Sequence, residues 1–136
     1  MNKIIEPVAR LLDGKNLAFL ATLMKDGSPQ TTPVWIDWEQ DSNRILINTA
    51  EGRLKHKNIS RDSRVSLSVA NQNNPYEMVT IRGKVIEQNT EYAVEHADKL
   101  AKKYLGLDKY PYHSPKEKRI ILKINPEKIF YQQPPR

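Results

Sequence analysis

The stretch from residue 49 to residue 64, TAEGRLKHKNISRDSR, concentrates positive charge. Two carboxylates, Glu51 and Asp62, stand among six basic side chains: Arg53, Lys55, His56, Lys57, Arg61 and Arg64. Like charges placed this close repel one another, so folding gains little from them. The stretch therefore predicts an anion-binding site.

The elements expected around this stretch point to a phosphate. The residues predict a strand over 44–50 and a helix over 54–61, with Glu51 and Gly52 between them. Free backbone N–H groups at the start of a helix attract phosphate, and nearby cations add to the attraction. A solvated charged face is the commoner explanation of basic runs in general. The position of this run at the end of a strand favours the phosphate site instead.

The charge of the whole chain also favours an anionic partner. With 136 residues and a formal net charge of +6, the candidates are nucleic acid, a membrane surface or a phosphorylated small molecule. A single-strand binder interleaves aromatic residues with its basic ones, and residues 49–64 contain none. No apolar run approaches the roughly 18 residues of a membrane span. We expect a compact phosphorylated ligand rather than nucleic acid or a membrane.

Several other kinds of chemistry lack the residues they need. The chain has no cysteine, which excludes disulfides, zinc–thiolate sites and thiol catalysis and is typical of an intracellular protein. Its three histidines, His56, His96 and His113, have no metal-ligand spacing. The first residues show no signal-peptide pattern. We expect a cytoplasmic protein without a metal site.

The elements that position the basic stretch are mostly strands. Apolar patterns and turn residues predict strands over 16–24, 30–39, 44–50, 64–70, 76–88 and 119–133, the last of them broken at Pro126. Helical spacing predicts one helix that Gly14 ends and another over 90–106. Short connections such as Asp26-Gly27 imply antiparallel neighbours. The pattern predicts one domain over residues 1–136, a mainly β fold of six or seven antiparallel strands that closes into a barrel or sandwich with flanking helices.

Two residues carry local predictions about that sheet. Pro33 stands inside a predicted strand, which indicates an edge position or a bulge, because proline donates no backbone hydrogen bond. Gly83, inside the longest predicted strand, indicates a bulge or close packing.

Three segments, taken in order, resemble a known family. FLATLMKDGSPQTTPVWIDW, ILINTAEGRLKHKNISRDSRVSLSV and PYEMVTIRGKVIE resemble the split β-barrel flavin and deazaflavin proteins related to pyridoxamine 5′-phosphate oxidase. More narrowly, the chain is similar to their deazaflavin-dependent branch, which uses coenzyme F420. The resemblance covers residues 5–131 and implies a split β-barrel that forms a homodimer, with a cofactor in each of two clefts between the subunits.

The resemblance also implies which residues bind the cofactor. Arg53 and Lys55 would grip its phosphate, with Lys57 and Asn58 as helpers. The remaining contacts would come from the end of one strand, from the strand along the ring and from the other subunit: Thr49 and Ala50; Gln30, Thr31, Thr32 and Pro33; and Tyr76. The same residues have structural alternatives, since the polar ones fit an ordinary strand and Tyr76 fits a packing anchor.

Neighbouring residues are expected to be structural. Trp35 and Trp38 are large enough to fill the core or a dimer interface. We expect Asp62 and Arg64 to form a local ion pair and His56 to face solvent.

The implied activity needs few protein groups. The resemblance implies hydride transfer between reduced coenzyme F420 and a small unsaturated or conjugated substrate, and the cofactor carries the reactive atom. This explains why no nucleophile, general base or triad stands out. The same fold with FMN, as a reductase or an oxidase, and a cofactor-binding protein without turnover are the alternatives. Oxidation of pyridoxamine phosphate is disfavoured, because the C-terminal IFYQQPPR lacks the arginine and histidine pair of the oxidase proper.

Overall fold

A computed structural model describes residues 2–135 of the chain. In chain order the elements are α1 (Glu6–Asp13), β1 (Ala18–Leu23), β2 (Pro29–Val34), β3 (Asp37–Glu39), β4 (Arg44–Ala50), α2 (Leu54–Arg61), β5 (Arg64–Asn71), β6 (Asn74–Asn89), α3 (Ala93–Leu105) and β7 (Arg119–Gln132). All seven strands form one antiparallel sheet in the order β2-β1-β5-β6-β7-β4-β3. The predicted mainly β, antiparallel fold with flanking helices is confirmed.

The two edges of this sheet are neighbours in the sequence. β2 lies at one edge and β3 at the other, and only Trp35 and Ile36 separate them. Three Cα–Cα steps of about 3.8 Å each cannot span a flat sheet of seven strands. The sheet must therefore curl until its edges approach each other, which is the barrel that the sequence predicts.

The core fills the inside of the curled sheet. Alternate residues of β1, β5, β6 and β7 turn inward, among them Leu20, Leu67, Ile81 and Leu122, none of which is more than 2% exposed. α1 closes one side by contacts with β3, β5 and β6, while α2 packs on β1 and α3 packs on β7 and β4. No helix within residues 2–135 is long and apolar enough to cross a membrane.

The single strand predicted over 30–39 is wrong. The chain leaves β2 after Val34 and re-enters the sheet at Asp37, where it pairs with β4 instead of β1. Between the two strands the backbone of Ile36 is held by side chains of α3: its N–H donates to Tyr104 Oη at 3.1 Å and its carbonyl accepts from Lys103 Nζ at 2.8 Å. These two hydrogen bonds replace the strand-to-strand hydrogen bonds that Ile36 would make in a sheet. No local sequence pattern predicts them.

The start of one helix and the interior of one strand also differ from the prediction. α3 begins at Ala93 and not at residue 90. The preceding residue, Tyr92, has a left-handed backbone with φ of 62°, and no side-chain hydrogen bond caps the helix. β7 runs through Pro126 without the predicted break. Pro126 pairs with Gly83 at a register shift of β6, where the ladder needs no N–H donor from β7. Pro33 lies in an edge strand, as predicted.

Gly83 lies at the register shift between β6 and β7. A Cβ atom at this position would stand 2.2 Å from the backbone oxygen of Asn125, far inside van der Waals contact. The predicted close packing is therefore confirmed, and the close approach of the Asn125 backbone explains why the strand carries a glycine here.

Candidate functional site

A cavity of about 340 Å³ lies where β2, β4 and β7 meet α3 and the start of α2. Three cations reach it, Arg53, Lys55 and Arg119, and the loop between α3 and β7 covers part of it. We call this space the cationic cavity. It combines positive charge with an aromatic wall, which suits a flat phosphorylated molecule.

The start of α2 brings two of the cations to the cavity. β4 ends at Ala50, and Gly52 turns the chain with φ of 87°, a conformation that favours glycine. Arg53 is the N-cap of α2 and has an extended backbone without a side-chain cap. The backbone N–H of Gly52 donates to His56 Nδ1 at 3.0 Å, which braces the turn. The predicted strand–turn–helix junction is confirmed, and it points Arg53 and Lys55 into one space.

Opposite Arg53, one carboxylate joins two of the cations. Glu117 accepts from Arg53 Nη2 at 2.5 Å and from Arg119 Nη1 at 3.2 Å. The hydrogen bond from Arg53 lowers the pKa of Glu117, and the charges of Arg53 and Arg119 lower it further. Within residues 2–135, Lys55 has no such partner. Burial lowers its pKa, and so do the positive charges of Arg53 and Arg119. The cavity keeps an excess of positive charge even with Glu117 in place.

Arg119 is the most buried of the three cations, at 8% exposure. Its Nε and Nη2 atoms donate to Asn48 Oδ1 at 2.9 and 2.6 Å, and its guanidinium lies 5.2 Å from the ring centre of Tyr110. A charge this deeply buried needs fixed partners. The guanidinium is therefore held in one orientation in the cavity wall.

Thr49 contributes a buried hydroxyl to the wall of the cationic cavity. The residue is 1% exposed, and its Oγ1 atom has no hydrogen-bond partner among the described residues. Buried polar atoms are nearly always paired, so an unpaired one at a cavity calls for a ligand atom. This hydroxyl fits a polar chain or phosphate seated beside Arg53.

Aromatic residues form the other wall of the cationic cavity. Trp35 stacks on Tyr104 with ring centres 5.3 Å apart and planes 6° apart, and Tyr110 meets Trp35 edge-on at 6.0 Å. Tyr104 is fixed because its hydroxyl donates to the carbonyl of Asn16 at 2.7 Å. Tyr112, 73% exposed, continues the wall toward solvent.

The structure brings together some of the residues that the sequence predicts for the site. Arg53, Lys55, Thr49 and Pro33 all line the cationic cavity, and Ala50, 2% exposed, follows Thr49 at the end of β4. Thr49, Ala50, Arg53 and Lys55 stand close together in the sequence, and Pro33 joins them from β2.

The other predicted residues lie elsewhere. Lys57 is exposed on α2. Asn58 is 1% exposed, donates to Thr22 Oγ1 at 3.0 Å and accepts from Arg61 at 2.9 Å, so its side chain already has partners. The role of Lys57 and Asn58 as helpers stays a prediction.

The predicted ring contacts on β2 divide between two faces. Thr32 pairs with the buried Leu20 and shares its inward face, whereas Thr31 pairs with Ala21 on the outer face. Gln30 and Thr31 are exposed. Tyr76 is 64% exposed near the start of β6. Their contact with a cofactor also stays a prediction.

Several residues of the cavity wall were not predicted from the sequence, among them Asn48, Tyr110, Tyr112, Arg119 and Trp35, the last of which was expected to fill the core or an interface. Arg119 offered one signal in the sequence, since a charged residue begins the apolar run RIILKI.

His56, expected to face solvent, is half-buried, and its Nε2 atom lies 3.1 Å from Gln88 Oε1. The predicted ion pair of Asp62 and Arg64 is confirmed at 2.8 Å.

A second, larger groove of about 640 Å³ lies on the outer face of the sheet. Arg64, Arg82, Lys84 and Lys128 line it, but no aromatic side chain of the described part of the chain does. The cationic cavity is therefore the better candidate for a ligand with a flat ring.

Comparison with known proteins places the chain among relatives of similar fold. The sequence pattern of the pyridoxamine 5′-phosphate oxidase family matches residues 4–133 of the chain. No curated protein sequence matches the chain.

Solved structures give the same picture. A protein named F420 reductase is 26% identical, with a TM-score of 0.77 over 89% of this chain and 94% of that one. A putative pyridoxamine 5′-phosphate oxidase from Lactobacillus delbrueckii is 23% identical, with a TM-score of 0.67 over 96% and 95% of the two chains. General stress protein 26 from Bacillus anthracis is 18% identical, with a TM-score of 0.69 over 95% and 93%, and shows the shared fold alone.

Proposed function

The chain belongs to the pyridoxamine 5′-phosphate oxidase family, and from this premise we propose that it is an oxidoreductase that transfers a hydride between reduced coenzyme F420 and a small unsaturated or conjugated organic molecule. The observation that carries the proposal is the cationic cavity, where Arg53 and Lys55 stand beside the aromatic wall of Trp35 and Tyr110. The likeness in fold and sequence to a protein named F420 reductase supports the choice of cofactor.

The residues present fit such a cofactor. A phosphodiester needs cations and N–H donors, which Arg53, Lys55 and the first turn of α2 supply. The unpaired hydroxyl of Thr49 would bond to the phosphate or to the polyhydroxyl chain next to it. A flat ring needs an apolar surface, which Trp35 and Pro33 offer in the lining of the cavity.

The other predicted contacts complete the proposed site. Lys57 and Asn58 would help from α2, Ala50 would flank the phosphate, and the ring would follow β2 past Gln30, Thr31 and Thr32. Tyr76 would reach it from a second subunit. The outer sheet face supports a homodimer, because Phe19 and Phe130 are 46% and 61% exposed there and stand in register with Ser68 and Thr80 between them.

The bound cofactor would supply the hydride chemistry itself. This chain's residues would do three things: the cations would bind the phosphate, the aromatic wall would hold the ring, and the covering loop would limit water. A proton for the reduced substrate would come from solvent or a nearby polar group. This division of labour needs no nucleophile or triad.

FMN is the second candidate, and one observation favours it. The three cations Arg53, Lys55 and Arg119 outnumber the carboxylate of Glu117, which leaves an excess of positive charge that matches a doubly ionised phosphomonoester. An FMN-dependent reductase or oxidase would use the same cations, and a cofactor-binding protein without turnover would use them as well.

A binding titration tests the proposal. Purified protein is titrated with coenzyme F420, with FMN and with a single-stranded oligonucleotide at low and high salt, and binding is followed by fluorescence. We expect F420 to bind most tightly. Tight binding of FMN alone would replace the first candidate by the second. Binding of the oligonucleotide alone, with steep salt dependence, would refute the enzymatic proposal.

A further inference from the structure

A line of hydrogen bonds runs from the cationic cavity to a buried histidine. Arg119 donates twice to Asn48 Oδ1, Asn48 Nδ2 lies 3.1 Å from His96 Nδ1, and His96 Nε2 lies 3.0 Å from Asp37 Oδ2. The side chains of His96 and Arg119 are 8% and 7% exposed. The line joins β3, α3, β4 and β7. The proposed function does not use the part that runs from Asn48 through His96 to Asp37.

The amide of Asn48 can face only one way. Its oxygen accepts from Arg119 Nε at 2.9 Å and Nη2 at 2.6 Å, and its nitrogen donates to the carbonyl of Ala93 at 2.8 Å. A guanidinium has only donors and a carbonyl has only acceptors. Turning the amide over would lose all three bonds, so the nitrogen must face His96.

This orientation fixes the proton on His96. An amide nitrogen only donates, so His96 Nδ1 must accept from it and carries no proton. The proton of the neutral ring then lies on Nε2, which donates to Asp37. A second proton on Nδ1 would set two donors against each other at 3.1 Å and would force Asn48 to release Arg119.

We propose that Arg119 is a third anion-binding residue of the cationic cavity, and that Asn48 and His96 are the positioning residues that aim it. The proposal deepens the proposed function and rests on it only for the place where the anion binds. Two nitrogens of Arg119 are occupied by Asn48, which leaves Nη1 to face the cavity, where it now meets Glu117 at 3.2 Å.

The charged groups around His96 set the sign of the pH effect. Asp37 on β3 faces its Nε2, Lys99 of α3 bonds to the same carboxylate at 3.1 Å, and Lys103 lies near enough to feel that charge. Arg119 on β7 faces it across Asn48. A proton gained by His96 is thus largely balanced by Asp37, and its main effect is to release Arg119.

Other groups near the cavity would act in the opposite direction. Protonation of His56 or His113 adds positive charge and strengthens the binding of an anion. Glu117, whose pKa is lowered, stays ionised in mild acid. Weaker anion binding on acidification therefore points to His96.

Sulfate is the probe, because it stays fully ionised across the range in which histidine titrates. Its affinity is measured at constant ionic strength from the shifts of backbone amide signals at the start of α2. The proteins are wild type, Arg119→Gln, Arg119→Lys, Asn48→Leu, His96→Gln and the charge-matched control Lys3→Gln, whose side chain is exposed. Circular dichroism establishes that each variant folds.

We expect Arg119→Gln to weaken sulfate binding about tenfold, as the loss of one charge-assisted contact predicts. Asn48→Leu and Arg119→Lys should weaken sulfate binding about threefold. The positive charge remains in both variants, but no guanidinium is held in the orientation that faces the cavity. Lys3→Gln should match wild type. On acidification wild type should lose affinity and His96→Gln should not, and the ring nitrogens of His96 should show the Nε2–H tautomer.

Sulfate affinity of folded Arg119→Gln within twofold of wild type would overturn the proposal. If that variant does not fold, the decision falls to Asn48→Leu and Arg119→Lys, and wild-type affinity in both would overturn it. An Nδ1–H form of His96, equal pH profiles for wild type and His96→Gln, or no sulfate binding at all would also overturn it. If sulfate binds through Arg119 while neither F420 nor FMN binds, the proposed function fails and this proposal stands.

Discussion

Arg53 Nη2 lies 2.5 Å from Glu117 Oε1, so the residue that caps α2 is paired with a carboxylate of its own chain. The same carboxylate reaches Arg119 at 3.2 Å. Glu117 thus holds the position that we propose for the cofactor phosphate. A ligand must displace it, which makes Glu117 a competitor within the chain.

Glu117→Gln should therefore increase the affinity for a phosphorylated cofactor. The pair is partly exposed, with Arg53 at 45% and Glu117 at 29%, so the gain should be modest, about three- to fivefold. Dissociation constants from calorimetry measure it, with the exposed Glu91→Gln as control. If the variant binds more weakly than wild type, Glu117 supports the site instead of competing for it.

Trp35 should contribute binding energy through its ring. It stacks on Tyr104 and lines the cationic cavity, whereas Trp38 donates to Asp13 Oδ1 at 2.8 Å and packs against the core. We expect Trp35→Ala to weaken cofactor binding about tenfold and Trp35→Phe to weaken it less than threefold, because an aromatic face remains. Trp38→Phe is the matched control. Wild-type affinity in Trp35→Ala would show that the ring lies elsewhere.

Gly83→Ala should destabilise the sheet that positions the site. The new methyl group would stand 2.2 Å from the oxygen of Asn125, so β6 and β7 would have to move apart. We expect a loss of about 3 kcal/mol in the free energy of unfolding. Urea unfolding measures it, and Lys84→Ala, exposed on the next position of β6, should change stability by less than about 0.5 kcal/mol. Equal stability of Gly83→Ala and wild type would contradict the close approach.

Asp37 should support stability only above acid pH. Burial raises its pKa, but hydrogen bonds from His96, from the backbone of Trp38 and from Lys99 outweigh this and lower it to about 2, from an ordinary value of 3.8. A lowered pKa in the folded state stabilises the fold above the ordinary value, and this contribution disappears as the pH falls through about 2.

Asp37→Asn should accordingly be less stable than wild type by about 2 kcal/mol near pH 5, and the difference should shrink toward about pH 2. Urea unfolding across this range measures the difference, with Asp41→Asn in an exposed turn as the control. A difference that stays constant with pH would mean that the charge of Asp37 is not what stabilises the fold.

Local patterns were enough to predict most of the fold. The alternating residues of β5 and the turn at Asp26-Gly27 depend on neighbours in the sequence, and the helix over 54–61 has the predicted bounds. The break after Val34 could not be predicted, because Tyr104 and Lys103 hold Ile36 from nearly seventy residues away. The continuous β7 depends in the same way on a register shift of its partner strand.

The candidate site was predictable only where it is local. Arg53, Lys55 and Thr49 stand within one basic stretch and could be proposed from it. Arg119 and Asn48 join them through β-sheet pairing of β4 with β7, which a single sequence does not reveal. Tyr110 comes from a loop without periodic pattern, so its place beside Arg119 emerges only from the fold.

The central claim is that the cationic cavity binds the cofactor through Arg53 and Lys55. The most direct test is the dissociation constant of coenzyme F420 for wild type and for the double variant Arg53→Gln/Lys55→Gln, measured by equilibrium dialysis on folded protein. Two lost charge-assisted contacts should raise that constant about a hundredfold. Equal constants for the two proteins, or no binding of F420 or FMN to wild type, would contradict the claim.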